Sequence, residues 1–322
     1  MGLQLRLYLL LGLMLGIFYL IILGVSYALG WHNFIFYAVL AVGLVFVQYL
    51  IGPWMVSKLM KVKYVSEQEQ PELHQMVAEL AKEAGIRKPR VCISEVDIPN
   101  AFAFGRTQGD ARICVTRGIM RLLSKEELRA VLGHEISHVK HRDMVLITVL
   151  SVLPMVCYFI ALNLLFAGMF GGRRGEGGNI LPLIGLGMLV VYFITNLLVL
   201  YGSRIREYYA DRGSVSLGNR PRYLATALYK LAYGNARAPK QALKQAEGIK
   251  AFFVNDPSRA MIEIKELKEI DADMSGTIDA EELAALRTKT IRLSTGDKLM
   301  ELFSTHPNML RRIKHLSSLK PE

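Results

Sequence analysis

His134-Glu135-Ile136-Ser137-His138 carries two imidazoles four residues apart, and a helix brings residues at that spacing onto one face, a turn apart. Two such imidazoles can grip one metal ion with the glutamate beside it. The donors suit Zn²⁺. With a coordination position left for water, Glu135 stands ready to take that water's proton as it attacks a carbonyl. The flanking residues write a helix through the motif. Ser124 followed by Glu127 is a capping box that starts it near Lys125, and Leu128, Val131, Leu132, Ile136 and Val139 form an apolar stripe toward Arg142. Both histidines then lie well inside the helix, where each buried ring nitrogen needs a partner: a metal for one, a carboxylate for the other. His141, three residues beyond His138, matches no third-ligand spacing and reads as a hydrogen-bonded bystander.

A catalytic zinc usually takes three protein ligands. Arg204-Ile205-Arg206-Glu207-Tyr208-Tyr209-Ala210-Asp211-Arg212 offers two carboxylates four apart. On one helix Glu207 could complete a two-histidine, one-glutamate site while Asp211 receives the free N–H of a ligating imidazole. Spacing alone favours another interpretation, a solvated helix face laced with Glu and Arg pairs, and so leaves the third ligand open.

Taken together, these motifs resemble the HtpX-type membrane zinc metalloproteases, gluzincins related to the CAAX prenyl endopeptidases. Their signature is His-Glu-x-x-His on one helix and Glu-x-x-x-Asp on a later one. Four segments match in order and spacing over nearly the whole chain: 134–138, 207–211, Pro99-Asn100-Ala101-Phe102-Ala103-Phe104-Gly105, and Thr305-His306-Pro307 followed by Arg312-Ile313. The resemblance implies His134, His138 and Glu207 as zinc ligands, Glu135 as general base and Asp211 as the supporting carboxylate. It implies that Asn100, Ala101 and Phe102 open an edge strand along the cleft, onto which an extended substrate adds through backbone hydrogen bonds. Read by itself, Pro99-Asn100 is as good a turn before a buried apolar strand. The resemblance also makes His306 a hydrogen-bond donor to the oxyanion of the tetrahedral intermediate, with Arg312 anchoring its segment. A lone His before Pro otherwise reads as a helix-start residue.

Composition places these residues near a bilayer. The 322-residue chain is 52% hydrophobic with a mean hydropathy of +0.28, above the usual content of a soluble domain. Residues 7–30 and 34–57 are uncharged apolar runs, each longer than the roughly 20 residues needed to cross about 30 Å of hydrocarbon. Trp31, His32 and Asn33 separate them, so they read as a helical hairpin; Arg6 on one flank and Lys58, Lys61 and Lys63 on the other put both ends in the cytoplasm. Residues 144–170 and 180–202 form a second candidate hairpin directly between the two metal-site motifs, which sets the site at the cytoplasmic face. Arg173 and Arg174 in its connection weigh against full spanning, while Lys140, Arg142, Arg204 and Arg206 outweigh them. Four spans are expected, with two spans plus a shielded apolar hairpin as the rival. Pro154, Pro182, Asn163 and Asn196 suggest kinked or cavity-lining helices there.

The expected fold is α+β and mostly helical, a membrane-anchored zincin-like metallopeptidase with up to four transmembrane helices. Its parts are an N-terminal hairpin (1–64), a zincin-like part with the zinc helix (65–143), the second hairpin (144–203) and a helical part with the third ligand (204–322). Within the soluble parts, 71–84 reads as an amphipathic helix, 90–94 and 111–116 as short strands, and a second helical part begins near Glu207 and includes 223–233. Cys92, Cys114 and Cys157 show neither metal nor disulfide spacing and fit a reducing or buried setting. The net charge of +11 reads as orientation and attraction to anionic lipid. Nucleic-acid binding has no motif to support it.

Residues 271–282 depart from the simplest pattern of such enzymes. They match an EF-hand calcium loop: Asp271, Asp273, Ser275 and Asp279 as oxygen donors, Thr277 at the seventh position, Gly276 for the turn, and Glu282 as the twelfth, bidentate position. Leu267, Ile270, Leu283 and Leu286 supply the flanking apolar positions. An acidic loop between helices is the plainer reading, and a lone hand is unusual because hands pair. With Ca²⁺ the segment would be a structural clamp for the insert between Asn235 and Thr305, or a calcium-dependent regulator.

These readings converge on an integral, multi-pass membrane zinc endopeptidase facing the cytoplasm and acting on misfolded or damaged membrane and membrane-adjacent proteins. The substrate class comes from the resemblance and from placement. A prenyl-protein (CAAX) endopeptidase is the rival enzyme, and would need a larger helical chamber than four spans readily enclose. A non-enzymatic, calcium-responsive membrane scaffold with a structural zinc is the rival of another class. Glu135 argues against it, since a structural site needs no base and closes its fourth position with protein.

Overall fold

The computed structural model describes residues 13, 17, 31–170, 180–236, 264, 267, 270–289 and 295–319. Their elements up to the motif helix are α1 (Trp31–Leu59), β1 (Val62–Tyr64), α2 (Pro71–Ala84), β2 (Arg90–Ser94), β3 (Ala101–Phe104), β4 (Arg112–Thr116), α3 (Arg117–Leu122) and α4 (Lys125–Lys140). After it come α5 (Asp143–Phe170), α6 (Leu181–Ser216), α7 (Pro221–Ala236), α8 (Ala280–Thr288), α9 (Thr295–Leu302) and α10 (Met309–Ser317). The chain divides into an apolar unit, Met1–Ile51 with Val145–Ile205, and a second unit, Gly52–Met144 with Arg206–Glu322.

Helix α1 begins in the apolar unit and ends in the second; it covers the second expected run and already includes Trp31, His32 and Asn33, expected to form a connection. Residues 7–30 and the 171–178 connection lie outside the described residues, apart from Leu13 and Ile17, which are helical. Among the described residues two helices are long and apolar enough to cross a membrane, Asp143–Met169 and Leu181–Ser216. They pack through Leu153, Val156, Ile160 and Leu164 on one and Met188 and Val199 on the other. Val149, Phe166, Leu183, Val190 and Phe193 face outward, so these helices are apolar all round, as a lipid-facing surface requires. Asn163 donates to the Phe159 carbonyl and Thr195 to that of Val191, so both are satisfied within their own helices. Pro154 sits inside α5. Pro182 lies in the first turn of α6, where no intrahelical bond is lost, so the expected kink does not arise there.

The 36 residues of α6 rise about 54 Å, well beyond a hydrocarbon layer of about 30 Å. Its uncharged stretch ends before Arg204, and its final turns from Arg206 onward belong to the second unit. The helical part expected to begin near Glu207 is therefore no new element but the continuation of the apolar helix. No Gly or Pro interrupts it between Gly202 and Gly213.

The second unit is built on a four-stranded sheet of order β1-β2-β4-β3. Strands β2 and β4 are parallel, in the register Cys92↔Cys114, and the flanking strands are antiparallel to them. One face carries the main core, in which Leu80, Ile113, Val115 and Ile119 meet Val131 and Ile136 of α4, Leu228 of α7 and Ile313 of α10. The other face holds Phe102, Phe104, Cys92 and Cys114 against Val56 and Met60. Helix α2, β2 and the start of α4 fall where periodicity and the capping box put them, with Ser124 and Glu127 capping each other reciprocally. Strands β1 and β3 are the two edges of the sheet.

Candidate active site

Helix α4 runs from Lys125 to Lys140 with His134, Glu135 and Ser137 buried along it. Alongside it lies the end of α6, and glycines make the approach close. A Cβ on Gly213 would stand 2.0 Å from Ser137 Oγ, and one on Gly133 would stand 2.4 Å from Asn219 Nδ2. Ser214 Oγ donates to the Ala130 carbonyl at 2.6 Å, pinning the two backbones together.

That approach brings the motif residues to one point. His134 Nε2 lies 3.5 Å from Glu207 Oε2, His138 Nε2 lies 3.5 Å from Glu207 Oε1, and the two Nε2 atoms are 3.1 Å apart. On their far sides both rings meet carboxylates: His134 Nδ1 is 2.9 Å from Asp211 Oδ1 and His138 Nδ1 is 2.7 Å from Asp143 Oδ2. A carboxylate only accepts, so each Nδ1 carries a proton and Nε2 is the nitrogen that each ring has left to give a ligand lone pair. Two lone pairs and a carboxylate directed at one point call for a cation, and a two-nitrogen, one-oxygen set with ligand atoms within 4.8 Å of one another fits zinc. Glu207 Oε2 is buried without a hydrogen bond, although Arg312 Nη1 stands 3.0 Å away as an ion partner.

The electrostatics agree. Burial opposes charge on Glu207, but His306, Arg312 and the two imidazoles hold its carboxyl well below the usual range. Burial likewise opposes ionisation of Asp211, yet Arg312 and His134 keep it at about 2. Arg312 is fully buried and spans both carboxylates, with Nη2 2.7 Å and Nε 3.0 Å from Asp211 oxygens. Burial raises the Glu135 carboxyl above its ordinary value while His138 and His134 pull it down, and the backbone N–H of Ala103 donates to it.

The Ala103 contact fixes where β3 lies. Asn100 exchanges hydrogen bonds with Thr116, its carbonyl accepting from the Thr116 N–H and its N–H donating to Thr116 Oγ1, both at 2.9 Å. The alternation of an antiparallel pair then turns the N–H and C=O of Ala101 and Ala103 away from β4, on the side where the Ala103 N–H meets Glu135. Asn100 itself is buried, and the Phe102 ring turns into the cluster beneath the sheet, 5.6 Å from Phe104. Of the expected substrate residues, Ala101 thus offers its backbone to the edge, with Ala103 as its unanticipated companion. His306 Nε2 lies 3.8 Å from Glu207 Oε1. Its Nδ1 is 2.9 Å from the Thr305 hydroxyl, a donor that would leave the ring proton on Nε2. His141 Nδ1 is 2.8 Å from its own helix carbonyl at Ser137, as a bystander would be.

Sequence reading missed Asp143 and Arg206. Asp143 follows the motif helix across a two-residue break, a spacing that belongs to no zinc pattern, so only the fold shows its carboxylate returning to His138.

The loop 271–282 lies on α7. One oxygen each from Asp271, Asp273 and Glu282 gather within 4.8 Å, while the Asp279 carboxylate caps α8 by accepting from the Glu281 and Glu282 N–H groups. The Ser275 and Thr277 hydroxyls are 3.0 Å from each other. Thr226 Oγ1 accepts from Ile278 N and donates to Ile278 O, both at 3.0 Å, and the Tyr229 hydroxyl donates to Asp271 at 2.7 Å.

Residues 67–320 match the model of Peptidase family M48. The chain is 52% identical over 229 residues to a protease HtpX homolog of Methanothermobacter thermautotrophicus, covering 71% of this chain and 85% of that one. It is 40% identical over 279 residues to a protease HtpX homolog of Moorella thermoacetica, covering 86% and 81%. Its fold is similar to that in the crystal structure of S. mikatae Ste24p, with a TM-score of 0.52 at 16% identity, over 97% of this chain and 65% of that one. These likenesses set the scaffold alternative aside. The chain belongs to peptidase family M48 and is a metallopeptidase of that family, with a membrane metallopeptidase fold similar to that of Ste24p.

Proposed function

We propose that the chain is an integral membrane zinc endopeptidase that cleaves misfolded or damaged membrane and membrane-adjacent proteins at the cytoplasmic face. The observation that carries this reading is the convergence of His134, His138 and Glu207 next to Glu135, which accepts from the edge strand β3 at Ala103. Those three residues would hold the zinc, with Asp211 orienting the first imidazole. Zinc bound there supplies Lewis acidity for the scissile carbonyl and lowers the pKa of water. Glu135 takes the proton of the attacking water and passes it to the leaving amine, as a buried carboxylate beside the metal-binding imidazoles can. His306 Nε2 donates a hydrogen bond to the oxyanion. An extended substrate adds to β3 through the backbone of Ala101 and the carbonyl of Ala103, whose N–H is taken by Glu135. Selection by backbone extension favours segments that have lost their own structure, and this supports the quality-control reading over one particular sequence. The cytoplasmic placement rests on Lys58, Lys61, Lys63, Lys140, Arg142, Arg204 and Arg206 at the ends of the apolar runs.

The test is cleavage by the full chain in proteoliposomes, before and after chelation and zinc add-back. It compares a destabilised membrane protein, its stable parent and a prenylated CAAX peptide. Zinc-dependent cleavage of the destabilised protein alone is expected. Cleavage of the prenylated peptide alone would replace this reading with the prenyl-protein endopeptidase.

We also propose that residues 271–282 bind Ca²⁺. Asp271, Asp273 and Glu282 draw together with no cationic side chain within ion-pair distance among the described residues. Among the described residues no second hand pairs with this loop; the backbone of Ile278, the eighth loop position, is satisfied by Thr226 of α7 instead. This favours a structural clamp on the peptidase over a free-standing sensor.

A further inference from the structure

Asp143 and Arg206 mark the points at which the chain leaves the catalytic unit for the apolar hairpin and returns from it. They are partners. Arg206 Nη2 and Asp143 Oδ1 form a close ion pair, and both side chains are buried. The other oxygen of Asp143 holds His138 Nδ1 at 2.7 Å. Arg206 is itself held, its guanidinium 4.8 Å from the centre of the Tyr209 ring. Asp143 opens α5, where the free N–H groups of a helix N-terminus favour a carboxylate. It is turned back toward α4 by Arg142, which adopts φ +57°, a left-handed conformation that strains a non-glycine residue. Nothing in peptide-bond hydrolysis requires this arrangement, yet it spends two buried charges and a strained residue on one imidazole.

We infer that Arg206 and Asp143 form a positioning device for the second metal-binding histidine, tying the two roots of the apolar hairpin together at His138. Asp143 fixes the tautomer and ring plane of His138, as the outer carboxylate of a carboxylate–histidine–metal triad does. Arg206 fixes Asp143. The pair closes the hairpin at its base, so metal affinity depends on the hairpin's two ends being held side by side. The inference rests on His138 being a ligand, and deepens the proposed zinc site.

The experiment measures zinc affinity by chelator competition, and the visible d–d absorption of the cobalt-substituted full chain in detergent, for wild type, Asp143→Ala, Asp143→Asn, Arg206→Ala and Arg206→Lys. Asp143→Ala is expected to weaken zinc binding by about 10- to 100-fold and to shift the cobalt bands. Asp143→Asn keeps an acceptor for the ring N–H and should recover part of the loss. Arg206→Ala should weaken binding although residue 206 is no ligand, with Arg206→Lys intermediate. If the alanine variants do not accumulate as folded protein, Asp143→Asn and Arg206→Lys decide by the same two readouts. Unchanged affinity and unchanged cobalt bands in the folded variants, with wild type binding one zinc, would overturn the inference alone. Failure of wild type to bind zinc at all would overturn the metal-site reading beneath it.

Discussion

Gly213 of α6 packs directly on Ser137 of the motif helix, so closely that a single methyl group there would stand 2.0 Å from the serine oxygen and 2.5 Å from its Cβ. This contact sets the distance between the helix that carries two imidazoles and the helix that carries Glu207. Gly213→Ala should force the helices apart, at about 1–3 kcal/mol for an overpacked core, and should lower zinc affinity together with thermal stability. Removing the obstruction in the double variant Gly213→Ala/Ser137→Gly should restore zinc binding. Full zinc affinity in the single variant would show that the helix spacing does not set the site.

Base and ligand can be separated by metal analysis. Glu135→Gln should retain zinc while turnover falls by about 100- to 10,000-fold, the usual worth of a general base. Glu207→Ala should lose zinc and activity together, because it removes one of three donors and leaves Arg312 facing an apolar side chain. Zinc stoichiometry unaffected by the second change would move the third ligand elsewhere.

Asp110 holds the β3–β4 connection, accepting from Arg90 at 2.7 Å and Arg106 at 3.0 Å, with Arg112 at 3.1 Å. Burial works against its ionisation, but Arg106 and Arg112 outweigh it and depress its pKa. A group depressed in the folded state contributes stability above its unfolded pKa of about 3.9 and loses it as pH falls through the folded value. Asp110→Asn should therefore cost about 1 kcal/mol near neutrality, given its partly exposed partners. The gap to wild type should close as urea denaturation is repeated from pH 7 down toward pH 3. A gap that widens in acid would contradict the assignment.

Calcium should stabilise the folded chain through the loop on α7. Free Ca²⁺ at about 100 times its dissociation constant adds about 2.7 kcal/mol if only the native state binds, which a denaturant titration resolves. Glu282→Gln should abolish the gain. Thr226→Val should lower stability with or without calcium, because the Ile278 backbone loses its partner. The expected link to zinc runs through α7, whose Lys230 pairs with both oxygens of Glu127 in the cap of the motif helix. No stabilisation of wild type by Ca²⁺ would return residues 271–282 to an acidic loop.

The motif helix, its reciprocal cap and strand β2 were legible because each depends on interactions within a few residues: a serine and a glutamate three apart, a stripe at helical period, a short β-branched run. The edge strand came only through resemblance, since β1 and β3 are too short to show an alternation of their own. Thr226 could not be anticipated, because its partner at Ile278 lies far along the chain.

For the metal site, sequence by itself determined the local half: two imidazoles on one helical face, a glutamate between them, and two carboxylates four apart on a later segment. Helical periodicity is a property of neighbours, so spacing suffices. Tertiary structure decided which carboxylate meets which nitrogen. Glu207 faces both Nε2 atoms, Asp211 takes His134, and Asp143, which no spacing rule marked, takes His138. It also decided that the backbone groups of Ala101 and Ala103 turn away from β4 while those of Phe102 pair with it, because strand pairing commits alternate residues to β4. These assignments depend on how closely two distant helices and an edge strand pack, and that distance is set by the missing side chains of Gly133 and Gly213.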